Sequence, residues 1–434
     1  MKDNNTETVK QEKRRYGRKR ICVAVSVPVV FVLVIAGISV LMNSEKPPLE
    51  EPDTVRFSTE FQAALDEFQR TYGFPGATAA YVLKDGTTFV AASGLADVEE
   101  GRSMTVQSRM LAASIGKTFV GAAAVALARE NVLDLDAPLS RWLGDRPWYE
   151  RLPNNDAITL RHLLTHQSGL ADHVHLDSFR AAVSRKWREK SNPFSPEELI
   201  DFVLDRPPLF EAGTAWSYSD TGYILIGLVI EESTGRSYYE EIKDRFLTPL
   251  NLNLTAPSDQ RYQPGLAAGY MEEDNSFGFP RKTVDGNGVM QWHPGFEWTG
   301  GGLVSNSRDL AEWGTALFEG KAIPGDYLKD LLQAVQISPD DPNVQYGLGV
   351  GIYRSSPYGS SYGHGGWIPG YSSSLRHYAD HQVTVAFQIN TDVGIVDDKT
   401  ALVSEMEERL AQIAIAANNA MHSDGNSATL HSRR

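Results

Sequence analysis

Apolar positions recur along this chain at two different periods, and the change of period marks out its elements. Phe61, Leu65 and Phe68 fall at helical spacing, whereas Ala77 to Leu83 and Thr87 to Ala92 read as strands flanking Asp85-Gly86, a strong hairpin signal. A small-residue apolar run follows Ser114 and predicts a buried helix. From about Leu139 to Leu254 the pattern is mainly helical with Pro and Gly punctuation, including Leu160 to Leu164, Pro196 to Leu204 and Gly222 to Glu232. Strand signals return at Gly347 to Tyr353, Ser373 to Ala379 and Val383 to Asn390. A closing helix from about Thr400 places Leu402, Met406, Leu410 and Ile413 on one face. Strands at both ends with helices between them predict an α+β fold: an antiparallel sheet built from both ends of the domain, flanked by helices, with an inserted mainly helical subdomain. The cleft between sheet and subdomain is the expected place for a site.

The N-terminus breaks this pattern. Lys10, Lys13, Arg14, Arg15, Arg18, Lys19 and Arg20 lead into an uncharged apolar stretch, Ile21 to Met42. At about 1.5 Å per residue it is long enough to cross a bilayer core of about 30 Å. The stretch therefore predicts a transmembrane helix and a membrane partner, with the N-terminus cytoplasmic and the folded domain extracytoplasmic in the cell membrane. A cleaved signal peptide is the competing reading, disfavoured by the length of the apolar core and by Val40-Leu41-Met42 as a cleavage site. The chain then divides into a basic tail (1–20), a transmembrane helix (21–42), a linker (43–55), a folded domain (56–416) and a flexible tail (417–434).

Composition narrows the function. The chain has 434 residues, 41% of them hydrophobic, ample for a sizeable core. A formal charge of −14, with no basic cluster in the folded part, excludes a nucleic-acid partner. The single cysteine, Cys22, leaves the folded domain no intrachain disulfide and no cysteine-ligated metal. His162 and His166, with His173 and His175 nearby, suggest a metal cluster, but Leu163 stands where a zinc protease needs Glu, which favours a packing role. No metal or cofactor is expected, and the sequence leaves the oligomeric state open.

Ser114-Ile115-Gly116-Lys117 pairs a hydroxyl with an amine one helical turn away, so a desolvated Lys117 could activate Ser114 as a nucleophile. The plain alternative is an ordinary helix start, with Ser114 as N-cap and Lys117 solvated in the first turn. A Ser-His-Asp triad on a nucleophile elbow does not fit, because Ala112-Ala113 precede Ser114. Two further elements lie in loop-like contexts: Trp216-Ser217-Tyr218-Ser219-Asp220, and Gly363-His364-Gly365-Gly366-Trp367.

With these three elements in order, the chain resembles the serine β-lactamase and penicillin-binding-protein superfamily over roughly Phe57 to Leu410, and most closely the branch of class C β-lactamases, D-alanyl-D-alanine carboxypeptidases and related esterases. Leu163-Leu164-Thr165-His166-Gln167-Ser168-Gly169 and Gly300-Gly301-Gly302-Leu303-Val304-Ser305 are similar too. The resemblance implies a β-lactamase/transpeptidase-like fold and an acyl-enzyme on Ser114. Lys117 and Tyr218 would share the serine proton, with Tyr218 acting as a phenolate base. The backbone N–H groups of Ser114 and Trp367 would form the oxyanion hole, while Asp220, His364, Gly365 and Gly366 would face a small-molecule or peptide substrate. The implied function is an extracytoplasmic serine hydrolase of D-alanyl peptides or small esters and amides; the alternatives are a β-lactamase, or a non-catalytic penicillin-binding sensor or scaffold. Two departures bear on substrate. Asp220 replaces the usual Asn, and His364 replaces the usual Lys, making the grip on a carboxylate conditional on pH.

Overall fold

The structure is a computed structural model and describes residues 53–395 and 399–428. Its strands are β1 (Gly76–Val82), β2 (Thr88–Asp97), β3 (Arg102–Ser103), β4 (Met110–Leu111), β5 (Ala256–Pro257), β6 (Leu303–Ser305), β7 (Val335–Gln336), β8 (Val344–Tyr346), β9 (Gly351–Tyr353), β10 (Ser361–Ile368), β11 (Tyr371–Tyr378) and β12 (Val383–Ile389). Among the described residues, nine of them form one sheet in the order β3-β2-β1-β12-β11-β10-β9-β8-β7, and β4, β6 and β5 form a second. β1 pairs antiparallel with β12, Ala77 opposite Ile389, so strands from the two ends of the domain meet in the interior of the sheet.

Period-two patterning gives that interior pair two faces. Ala77, Ala79 and Tyr81 of β1, with Val383, Val385, Phe387 and Ile389 of β12, pack into one core. Ala80, Val82 and Ala386 join the other. The first core is covered by two amphipathic helices, Asp53–Tyr72 and Leu402–Ala428, which bury Phe57, Phe61 and Leu65, and Leu402, Met406 and Leu410. The second is covered by the helices Ser307–Phe318 and Gly116–Arg129 and by the helical subdomain. Within that subdomain the helix Asp220–Thr234 is buried from Thr221 to Ile230. The Asp85-Gly86 turn closes the β1–β2 hairpin, with Gly86 at φ +88°.

The α+β expectation, with its sheet assembled from both ends and flanked by helices, matches this architecture. The transmembrane addition is corrected. Among the described residues no helix is long and apolar enough to cross a membrane, so the single-pass topology, the membrane partner and the extracytoplasmic placement lose their support. The two longest described helices are charged along their length. Arg56, Glu60, Asp66, Glu67 and Arg70 interrupt one, and Glu405, Glu407, Glu408 and Arg409 the other, each charge costing about 2.5–3.5 kcal/mol at a membrane midplane. Residues 21–42, on which the expectation stood, lie outside the described residues, as do the basic tail and most of the linker. At the other end the closing helix continues to Ala428, through residues the sequence reads as tail.

Candidate active site

Ser114 sits on a tight turn. Ala113 takes a left-handed conformation, φ +51°, and the short turn Ala113–Ile115 feeds directly into the helix Gly116–Arg129. Such a conformation costs a non-glycine residue about 1 kcal/mol or more and is held only by close surroundings. Those surroundings are two glycines. A Cβ on Gly301 would meet the Ala113 carbonyl carbon at 2.5 Å, and one on Gly366 of β10 would collide with the Ala112 carbonyl and the Ser373 hydroxyl. Ser373 Oγ in turn donates to the Ala112 carbonyl at 2.9 Å. β10 and β11 thus back the serine turn at van der Waals distance.

Lys117 has no exposed side-chain surface, which removes the reading of it as a solvated first-turn residue. Ile115, not Ser114, is the N-cap of the helix, and it makes no side-chain capping bond. Lys117 Nζ donates to Ser114 Oγ at 3.1 Å, to Asp220 and to the Gly300 carbonyl. An ammonium has three protons to give, and three acceptors receive them. Asp220, 20% exposed, stands in the first turn of its helix, where a negative charge suits the helix dipole. The ammonium also lies over the rings of Tyr218 and Tyr223, 4.9 and 5.2 Å from their centroids.

The Tyr218 hydroxyl is buried and makes no hydrogen bond of good geometry. Burial pushes it well above the usual phenol range, the Asp220 charge adds to this, and Ser114 opposes it. The phenolate expected of Tyr218 is thus disfavoured at rest, first by burial and then by the Asp220 charge. His166 fixes the tyrosine segment from beneath. Its Nδ1 accepts the Ser219 N–H at 3.1 Å, its carbonyl accepts the Ser217 N–H at 3.0 Å, and its ring lies 4.2 Å from the Tyr218 ring.

Gly363 to Trp367, loop-like by composition, lies in strand β10. Past Gly363 its outer edge has left β9, and Gly365 to Trp367 line the cleft beside Ser114. His364 has both ring nitrogens engaged: Nδ1 donates to the Gly365 carbonyl at 2.5 Å, which leaves Nε2 to accept the Tyr346 hydroxyl at 2.8 Å. Burial, and then the nearby Lys117, pushes its pKa down to about 3. The pH-conditional positive charge expected of His364 is absent at neutral pH. The Trp367 indole donates to Asp392 at 3.3 Å.

These residues converge on a cleft of about 480 Å³, lined on one side by Ser114, Tyr218 and β10. Its lining also holds two carboxyls that sequence reasoning did not single out, Asp172 and Glu297. Glu297 lies three residues before Gly300, and Asp172 opens a polar Asp-His-Val-His segment; those were the available signals. The histidines do not form a metal site. His162 pairs with Thr159 in a capping box, His166 lies under Tyr218, and His173 bonds Thr221 at 3.0 Å. Among the described residues no group of three or more potential ligands is arranged around a metal position.

The beta-lactamase family model matches residues 61–407. The chain is 27% identical to penicillin-binding protein 4* of Bacillus subtilis (strain 168) over 313 residues, 69% of this chain and 64% of that protein. It is 26% identical to a D-aminopeptidase of Brucella anthropi over 345 residues, 77% of this chain and 60% of that protein. Among solved structures, a D-stereospecific amidohydrolase from Streptomyces sp. aligns with a TM-score of 0.65 at 29% identity, covering 79% of this chain and 95% of that one. The chain spans less than two thirds of the length of both curated relatives.

Proposed function

We propose that this chain, which belongs to the beta-lactamase family, is a serine hydrolase that cleaves amides and esters of D-amino acids through an acyl-enzyme on Ser114. The reading is carried by one observation: the Ser114 hydroxyl lies 3.1 Å from the amine of a lysine with no exposed surface, at the wall of a cleft. The D-aminopeptidase and D-stereospecific amidohydrolase relatives support the substrate class.

The proton path follows from the pairing. Lys117 acts as a base only after its ammonium has given up a proton, and Asp220, bonded to Nζ, is the acceptor that the geometry offers for it. The freed amine takes the Ser114 proton as Oγ attacks the carbonyl. The neutral Tyr218 hydroxyl supplies the proton to the leaving nitrogen and recovers one from Lys117. The N–H groups of Ser114 and Trp367 receive the developing oxyanion, a contact in which one donor is typically worth about 3–4 kcal/mol. Water then repeats the sequence on the acyl-enzyme.

The test is intact-mass spectrometry and steady-state kinetics of the full-length protein with a D-alanine nitrophenyl ester and a D-alanine nitroanilide. A transient gain of one acyl group, and turnover that vanishes in Ser114→Ala, is the expected result. Activity that survives Ser114→Ala overturns the mechanism, and a stable adduct without turnover replaces the hydrolase with a sensor.

A further inference from the structure

The oxyanion donor on β10 stands where the sheet does not hold it. In an antiparallel pair, alternate residues of a strand bond the neighbouring strand and the others point away from it. Ser360, which continues the register of β10, accepts the Ala379 N–H at 3.2 Å. The even-numbered residues of β10 therefore bond β11, and the backbone groups of Gly365 and Trp367 point to the opposite edge. β9 pairs with that edge only as far as Gly363. No strand fixes the aim of the Trp367 N–H.

The nearest anchorage is the end of the hairpin. β10 turns into β11 through Pro369-Gly370, with Gly370 at φ +86°, as a type II turn requires there. One oxygen of Asp392, Oδ2, accepts both the Gly370 N–H at 3.0 Å and the Trp367 indole N–H at 3.3 Å. Asp392 follows β12, on the far side of β11, and its neighbour Thr391 is tied to the Tyr270 carbonyl at 2.8 Å. A single carboxylate thus clips the turn to the side chain of the residue whose amide leaves the free edge.

We propose that Asp392 is a positioning residue for the hydrolysis: by holding the Trp367 indole and the Pro369-Gly370 turn together, it keeps the Trp367 backbone N–H aimed at the oxyanion. This rests on the hydrolase reading and adds to it a residue that does not itself line the cleft. Oxyanion donors act only while their aim is fixed, and a displacement of about 1 Å can cost about 10²-fold in rate. The clip is strongest with the carboxylate ionised, since a charged acceptor makes bonds about twice as strong as a neutral one. Burial pushes the Asp392 carboxyl up to about 6, against the Gly370 and Trp367 bonds, and the Glu272 charge adds to the rise. The clip is therefore charged at neutral pH and weakens as pH falls through that value.

The test combines steady-state kinetics of the full-length protein on a D-alanine nitrophenyl ester with binding of the boronic-acid analogue of D-alanine, which adds to a serine as a tetrahedral anion. Asp392→Ala is expected to lower kcat about 10–100-fold with KM changed less than about threefold, and to weaken the boronate by a similar factor to kcat. Asp392→Asn, which keeps an acceptor oxygen, should recover most of kcat. Unchanged kcat, a loss confined to KM, boronate affinity retained while kcat falls, or no recovery in Asp392→Asn overturns the proposal. If the melting curve shows that Asp392→Ala does not fold, NMR of the unaltered protein decides. The Trp367 indole and Gly370 amide signals should shift together about a midpoint near pH 6, and separate or absent shifts overturn the proposal. Ser114-dependent turnover that ignores Asp392 removes this inference and leaves the hydrolase reading standing. Neither turnover nor a boronate adduct in the unaltered protein removes the hydrolase reading and this inference with it.

Discussion

On the sheet side of the cleft, His364 has both ring nitrogens bonded, Ser373 ties β11 to the serine turn, and Gly366 presses against the same turn. On the loop side, Glu297 keeps an oxygen without a partner and Asp172 has a backbone N–H and a distant imidazole. The first arrangement holds a geometry: His364 and Ser373 are bonded within the protein and stay put when a substrate arrives, although Ser372 of β11 keeps an unpartnered hydroxyl on the cleft. The second is left open: Glu297 Oε2 has no partner within the protein, and burial keeps the carboxyl protonated near neutrality. Bonded and open polar groups are thus largely divided between strand and loop, with Lys117 and Asp220 at the junction.

Each half of this comparison can be broken separately. The largest effect is expected at the junction, where Lys117→Met should lower kcat by roughly 10⁴-fold, as Ser114→Ala does, because the two act as a unit; a loss under tenfold in a kinetic assay would detach the lysine from the chemistry. Next, Tyr218→Phe should cost about 10²–10³-fold in kcat with little change in the thermal midpoint, because the buried hydroxyl makes no hydrogen bond of good geometry and has only its contact with Ser114. A lower midpoint in calorimetry would make that hydroxyl structural.

On the loop side the effect is on stability. With a folded value of about 8 against about 4.3 when unfolded, Glu297 binds a proton in the folded state that the unfolded chain has released. Its contribution is fully present below about pH 4 and is lost as pH rises through about 8. Glu297→Gln should therefore gain about 1–3 kcal/mol in urea unfolding above pH 8 and nothing near pH 4; an equal gain at both would deny the burial of its charge. The smallest effect is expected on the sheet side. The His364 ring, followed by NMR, should stay constant from about pH 5 to 8, and a midpoint near the ordinary imidazole value would show that the strand does not hold it neutral.

Local pattern made much of the framework legible. The β1–β2 hairpin, the buried helix after Ser114 and the closing helix with Leu402, Met406 and Leu410 on one face follow from period and turn chemistry alone. β10 was harder to read, since glycines depress strand propensity and their reason is tertiary: Gly366 must clear the Ala112 carbonyl. Asp172 and Glu297 were harder still, because each looks like an ordinary polar loop residue until the fold buries it facing the same cleft. The ionisation of Tyr218 and His364 was beyond the sequence for the same reason, as burial decides it. The apolar stretch at residues 21–42 had a strong local pattern, but the described helices add nothing to it.

The pairing of β1 with β12 also sets a timetable for synthesis. Val82 finds its partner Thr384 about 300 residues later, which at roughly 5–20 residues per second leaves the strand waiting about 15–60 seconds on the ribosome. During that interval β2 borders one edge and helices such as Asp53–Tyr72 and Ser307–Phe318 can cover its faces, but the other edge stays bare, and an alanine-rich strand with a bare edge is a target for chaperones and for neighbouring nascent chains. A chain stalled before residue 383 has the β10–β11 hairpin that backs the nucleophile turn but lacks β12, the strand that joins this hairpin to β1 and β2. The sheet behind the serine is closed only when β12 enters it, so the support of the nucleophile turn is a late product of translation.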